Sequence, residues 1–252
     1  MPRKLKIFST VSIVLLLSGC TTIYNPATQR RETHFIGTPS EIALGRDMDL
    51  EIQKKMRIAG DPQMQLRLAK IATGIAAASD RQDIIYTFKI IKDKELNAFS
   101  IPGGYVYVNT GLMNMASDDE LASVLAHEVG HIAARHSVKK LQAVMGYEII
   151  MSIALGVSGQ ESVAQTTDII FNIGSLGYSR KDELLADRLA VRYSKKAGYN
   201  PYGMVTFFEK LKDEEEKRGP NLKIHFLSSH PDLGLRITKV KEEIASSLRS
   251  SQ

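Results

Sequence analysis

Apolar residues recur three and four positions apart through SEIALGRDMDLEIQKKM, which begins at Ser40, and again through DPQMQLRLAKIATGIAAAS, which follows Gly60. That is the period of one buried helical face. The spacing predicts two amphipathic helices, the first with Ser40 as its N-cap and the second with Pro62 in its first turn. The texture then changes. DIIYTFKIIKD, from Asp83 to Asp93, is rich in β-branched and aromatic residues, and GGYVYVNTG, from Gly103 to Gly111, alternates Tyr105, Tyr107 and Asn109 against Val106, Val108 and Thr110. Both segments read as strands of a small sheet. Beyond Gly111 the pattern is helical, interrupted by turns at Gly198 to Pro201, around Gly219-Pro220 and at His230-Pro231. The expected class is α+β and mainly helical, folded over residues 40–252.

Two segments precede that domain. TTIYNPATQRRETHFIGTP, residues 21–39, is polar, holds two prolines and lacks periodicity, which predicts a tether. Ahead of it, MPRKLKIFSTVSIVLLLSGC places a basic stretch before an apolar run from Ile7 to Leu17 that is too short to span a bilayer. This is the layout of a secretory signal peptide over residues 1–19. Leu17-Ser18-Gly19-Cys20 resembles the bacterial lipobox, which implies cleavage before Cys20 and lipid on its thiol as the membrane attachment. Thr21, where an aspartate would signal retention in the inner membrane, favours the outer membrane by the same resemblance. Cys20 is the only cysteine, so no intramolecular disulfide forms.

Composition changes this picture little. At 252 residues, 43% hydrophobic and 24% charged, the chain is ordinary globular material. Its formal charge of +5 includes Arg3, Lys4 and Lys6, and without them 30 basic residues face 28 acidic ones. No basic cluster interleaved with aromatics is present, so nucleic acid is not an expected partner.

The candidate chemistry lies in ASVLAHEVGHIAARHS, residues 122–137. Ser117 to Glu120 fits a capping box, so a helix carrying the histidines starts there. His127 and His131 are four apart, share a face and suit one metal ion, while Glu128 sits where a carboxylate reaches water bound to that metal. His136 is a weaker candidate. On a continuing helix it is turned by about 140° from His131 and points to the far face, with no glycine in Ile132 to Arg135 to bend it back. The third ligand must then come from elsewhere, with Glu148, Glu161, Asp168 and Glu183 as candidates. Glu183 and Asp187 are four apart on a predicted helix, so Glu183 can bind the ion while Asp187 accepts a hydrogen bond from a ligand histidine and fixes its tautomer.

NAFSIPGGYVYVNTGLM, DDELASVLAHEVGHIAARH, YSRKDELLADRLA, GYNPYGM and FLSSHPDLGLRI together resemble the zinc metallopeptidases that include the HtpX and CAAX-prenyl proteases, with periplasmic lipoprotein members of the BepA and LoiP kind. The resemblance covers about residues 40–245 and implies a zincin-type fold with a small sheet beside the HExxH helix. It implies one zinc ion held by His127, His131 and Glu183, Glu128 as general base and His230 beside the reaction centre. Leu185 stands where the family often has a second glutamate, which touches no ligand assignment. Integral-membrane relatives carry spans near residues 143–177; here the longest apolar run, Ile149 to Val157, is too short, and amphipathic helices beside the cleft are expected.

The implied function is an endopeptidase facing the periplasm that cleaves misfolded or misassembled envelope proteins, its substrate adding as a strand along residues 103–110, with Gly103 and Gly104 leaving room. Two rivals remain: an assembly factor with little proteolysis, and a structural lipoprotein with a degenerate site. Glu128 speaks against the second, because a structural zinc has no use for a general base.

Overall fold

A proline sets where the first helix begins. In the computed structural model, which describes residues 21–144, 150, 153, 177–218 and 225–249, helix α1 runs Thr38–Lys55 with Gly37 as its N-cap and Pro39 in its first turn. The start lies ahead of the expected cap at Ser40 because the fixed φ of Pro39 suits a first helical turn. Helix α2, Pro62–Ala78, begins as expected: Asp61 caps it, accepting from the backbone amides of Gln63 and Met64.

Strands β3 (Thr87–Ile91), β4 (Ala98–Ile101) and β5 (Tyr105–Asn109) form one sheet in the order β3-β5-β4. β3 pairs parallel with β5, and β4 antiparallel with it. The alternation along β5 sends its residues to two different cores. Val106 and Val108 join Leu68, Ile71 and Ile75 of α2, whereas Tyr107 joins Leu44, Met48 and Ile52 of α1. The sheet is thus covered on both faces.

Helices α3 (Thr110–Met115), α4 (Asp118–Ala133), α5 (His136–Val144), α6 (Arg180–Lys196), α7 (Gly203–Arg218), α8 (His225–Ser229) and α9 (Leu233–Arg249) complete the described residues. The class is α+β and mainly helical, with the small sheet against α4. Helix α4 is buried almost throughout, and the capping box at Ser117 and Glu120 forms as expected. Its most extensive helix contact is with α6. Gly130 permits it: a Cβ there would lie 3.1 Å from the carbonyl oxygen of Ala186 and 3.3 Å from its Cα.

Three expectations change. The predicted tether is, over residues 21–34, a hairpin of β1 (Thr21–Asn25) and β2 (Arg30–His34). Its polar groups are satisfied by the end of α4 and by α5: Asn25 Nδ2 donates to the Ala133 carbonyl at 3.2 Å and Lys139 pairs with Glu32 at 2.7 Å. Residues 103–110 are not an edge, because β5 is the central strand. Gly103 (φ +80°) and Gly104 (φ +98°) do not hold space open either: a Cβ on Gly104 would meet the Ile85 carbonyl oxygen at 2.3 Å, and one on Gly103 the α1 backbone. They are glycines because the chain turns there in a left-handed conformation against its neighbours.

The signal segment, Cys20 and most of the expected helices of 143–177 lie outside the described residues. Ile150 and Ile153 are buried in the core beside α1. Among the described residues no helix is long and apolar enough to cross a membrane.

Candidate metal centre

Four buried side chains meet between α4, α6 and the turn after α8. His127, His131, Glu183 and His230 each offer one ligand atom, all within 4.8 Å of one another. The two Nε2 atoms of His127 and His131 are 3.0 Å apart, and they lie 3.5 Å and 3.4 Å from the two Glu183 carboxylate oxygens. His230 Nδ1 is 3.3 Å from His127 Nε2 and 3.0 Å from Glu183 Oε1. Donors bound tetrahedrally to zinc at about 2.05 Å sit about 3.3 Å from each other. The spacing and the nitrogen and carboxylate chemistry of this group therefore fit one zinc ion. A second fit comes from Glu128, whose Oε1 is buried without a hydrogen-bond partner, 3.4 Å from His230 Nε2.

Supporting contacts aim the donors. Asp187 Oδ1 lies 2.9 Å from His127 Nδ1, which turns Nε2 inward. Asp187 is itself gripped by Arg236, fully buried, through Nε at 2.8 Å and Nη2 at 2.6 Å. Arg236 also reaches Glu183 Oε2 at 3.0 Å and the His230 carbonyl at 3.1 Å, and its guanidinium lies over the Phe208 ring. One cation thus braces Glu183 and His230 directly and His127 through Asp187. Tyr178 stacks on the His131 ring with centroids 4.0 Å apart.

The electrostatics follow from this packing. Burial opposes charge on Glu183, yet His230, Arg236 and the ligand imidazoles hold its pKa well below the usual carboxylate range. Burial likewise opposes charge on Asp187, and Arg236 outweighs it, keeping that pKa low. Burial pushes His131 down to about 3, against the pull of Glu183. It also acts on His127, but Asp187 and Glu183 overcome it and raise that pKa to about 9. Asp187 and Glu183 together thus outweigh burial at His127, whereas Glu183 alone does not at His131.

His136 departs from expectation. Helix α4 ends at Ala133, Arg135 takes a left-handed φ of +56°, and α5 starts afresh at His136. Arg135 is held in that conformation by Glu41 at 2.8 Å and the Ile36 carbonyl at 2.7 Å. The break swings His136 back toward the site, buried, with Nδ1 2.9 Å from His131 Nδ1 and Nε2 3.3 Å from Asp182. It backs His131 from behind and stands outside the donor group. Arg236, Tyr178 and Ser100, whose hydroxyl contacts Glu128, are the site residues that sequence reasoning missed; for Arg236 the available signal was a lone cation within the apolar run Leu233 to Ile237.

A buried HExxH helix facing a glutamate on a second helix defines a zinc metallopeptidase domain. The chain belongs to Peptidase family M48, whose profile matches residues 62–244. It is similar to Mitochondrial metalloendopeptidase OMA1 of Schizosaccharomyces pombe, 31% identical over 87% of this chain and 65% of that protein. Metalloprotease LoiP of Escherichia coli is 25% identical over 93% of this chain and 94% of its own length. Beta-barrel assembly-enhancing protease of Escherichia coli is 24% identical over 76% of this chain and 42% of its own. The chain thus spans less than two thirds of the first and last of these relatives.

Proposed function

We propose that this chain is a zinc-dependent endopeptidase that clears misfolded or misassembled proteins of the bacterial envelope, held at the outer membrane by lipid on Cys20. The observation that carries the catalytic part is the donor group at zinc spacing with the unbonded Glu128 Oε1 beside it. In this reading His127, His131 and Glu183 are the ligands, and Asp187, braced by Arg236, orients His127. Zinc there supplies an electrophile for the scissile carbonyl and acidifies water. Glu128 takes the proton from the attacking water and returns it to the leaving amine. His230, which offers a fourth donor atom beside these ligands, could ligate the metal in a resting state or stabilise the oxyanion. The substrate strand adds alongside β4, an outer strand of the sheet among the described residues, which packs against α4.

The expected result is that the purified chain cleaves an unfolded protein, stops on chelation and resumes with one equivalent of zinc. A zinc-loaded chain that leaves every unfolded substrate intact would overturn the protease reading. The four-donor arrangement favours one second reading, an assembly factor whose site stays closed and which restores outer-membrane integrity without cleaving anything.

The envelope assignment rests on the lipobox-like segment and on the name of the β-barrel assembly-enhancing relative. Cys20→Ala is expected to release the protein from the membrane fraction or to block its processing. A variant that matured and sedimented with membranes like wild type would sink the anchor.

A further inference from the structure

We infer that Ser100 is a positioning residue for Glu128: its hydroxyl pins one carboxylate oxygen so that the other is presented to the metal centre. This rests on the peptidase reading above, in which Glu128 is the general base. Ser100 Oγ lies 2.8 Å from Glu128 Oε2, and both residues are buried. A hydroxyl at that distance from a carboxylate oxygen donates to it, and the charge makes the bond stronger than a neutral one.

The sheet fixes where that hydroxyl stands. Ser100 pairs with Val106 of β5, and by the two-residue period of a strand it projects to the same face as Ala98. Ala98 belongs to the core that contains α4, whereas Ile101 belongs to the core on the other face. Ser100 therefore places its Oγ on the face of the sheet that packs against α4, the helix that carries Glu128.

Two consequences follow for the carboxylate. The terminal torsion of a glutamate is broad and roughly two-fold, so an unheld carboxylate presents either oxygen or leans toward the cation. With Oε2 bonded to Ser100, Oε1 is left as the oxygen near His230 Nε2, and it has no other partner. Ser100 also sits on β4, the edge proposed to receive substrate, so one short strand sets the places of both the peptide and the base. Catalytic groups must hold their geometry to about 0.5 Å, which such a shared element achieves.

The test compares Ser100→Ala with Ser100→Thr. The alanine variant is expected to lose about 10-fold in kcat, the scale of a modestly misplaced group, with KM, zinc content and melting temperature unchanged. Threonine keeps a hydroxyl and should recover most of the loss. In a Glu128→Gln background Ser100→Ala should cost nothing further, since the two residues act as a unit. A readout independent of turnover is the infrared carboxylate band of Glu128, isolated as the difference between wild type and Glu128→Gln and expected to shift in Ser100→Ala. An alanine variant with wild-type kcat or an unshifted band would overturn the inference. If the zinc-loaded wild type cleaves nothing while the band shifts, the peptidase reading fails and the contact stands.

Discussion

Glu128→Gln is expected to lower peptidase activity by about 100-fold or more, the usual scale of losing a general base, while leaving one zinc per chain and an intact fold. The amide has the size of the carboxylate, which matters because Glu128 is buried within α4 and a smaller side chain would leave a cavity beside the ligands. Glutamine also keeps an oxygen to accept from Ser100 Oγ. What it loses is the basic oxygen, Oε1, which has no hydrogen-bond partner among the described residues. Activity against an unfolded protein and metal content, measured on the same preparation, check this. A variant that cleaves as fast as wild type would remove Glu128 from the mechanism.

Glu183→Ala is expected to abolish tight zinc binding. It deletes the one anionic donor of the group and leaves the buried Arg236 guanidinium facing Asp187 alone. Losing an outer partner of a metal site costs about 10- to 100-fold in affinity, and a direct anionic ligand should cost more than that. His136→Ala is the control, expected to retain about one zinc per chain, because His136 meets His131 at Nδ1 on the side away from the cluster. Zinc content after dialysis against a weak chelator separates the two. Zinc retained without Glu183 and lost without His136 would reverse the ligand assignment.

What the sequence made legible was local. The pairs His127/His131 and Glu183/Asp187 are each set by one helical turn, so their shared faces follow from spacing alone. Which carboxylate crosses to the histidines is a long-range fact: among Glu148, Glu161, Asp168 and Glu183 the pairing with Asp187 points to Glu183, and the family likeness implies it. The break at Arg135 had no local signal, since a left-handed residue with a full side chain is stabilised here by Glu41 and the Ile36 carbonyl, far off in the chain. With it went the direction of His136. The hairpin at 21–34 has the sequence of a tether because its polar residues are satisfied by the end of α4 and by α5 instead of forming a buried apolar face. Strand β4 has four residues, too few for a period to show, and without it β5 looked like an edge.

The contact at Gly130 gives the centre a one-way tolerance. Helices α4 and α6 carry His127, His131 and Glu183, and at Gly130 the backbone of α4 meets the Ala186 backbone of α6 with the Leu189 Cβ beside it. Gly130 itself has no side chain to trim, so a substitution there only adds bulk against Ala186 and Leu189. A side chain added at Gly130, a position that touches no ligand, would therefore push apart the two helices that carry His127, His131 and Glu183.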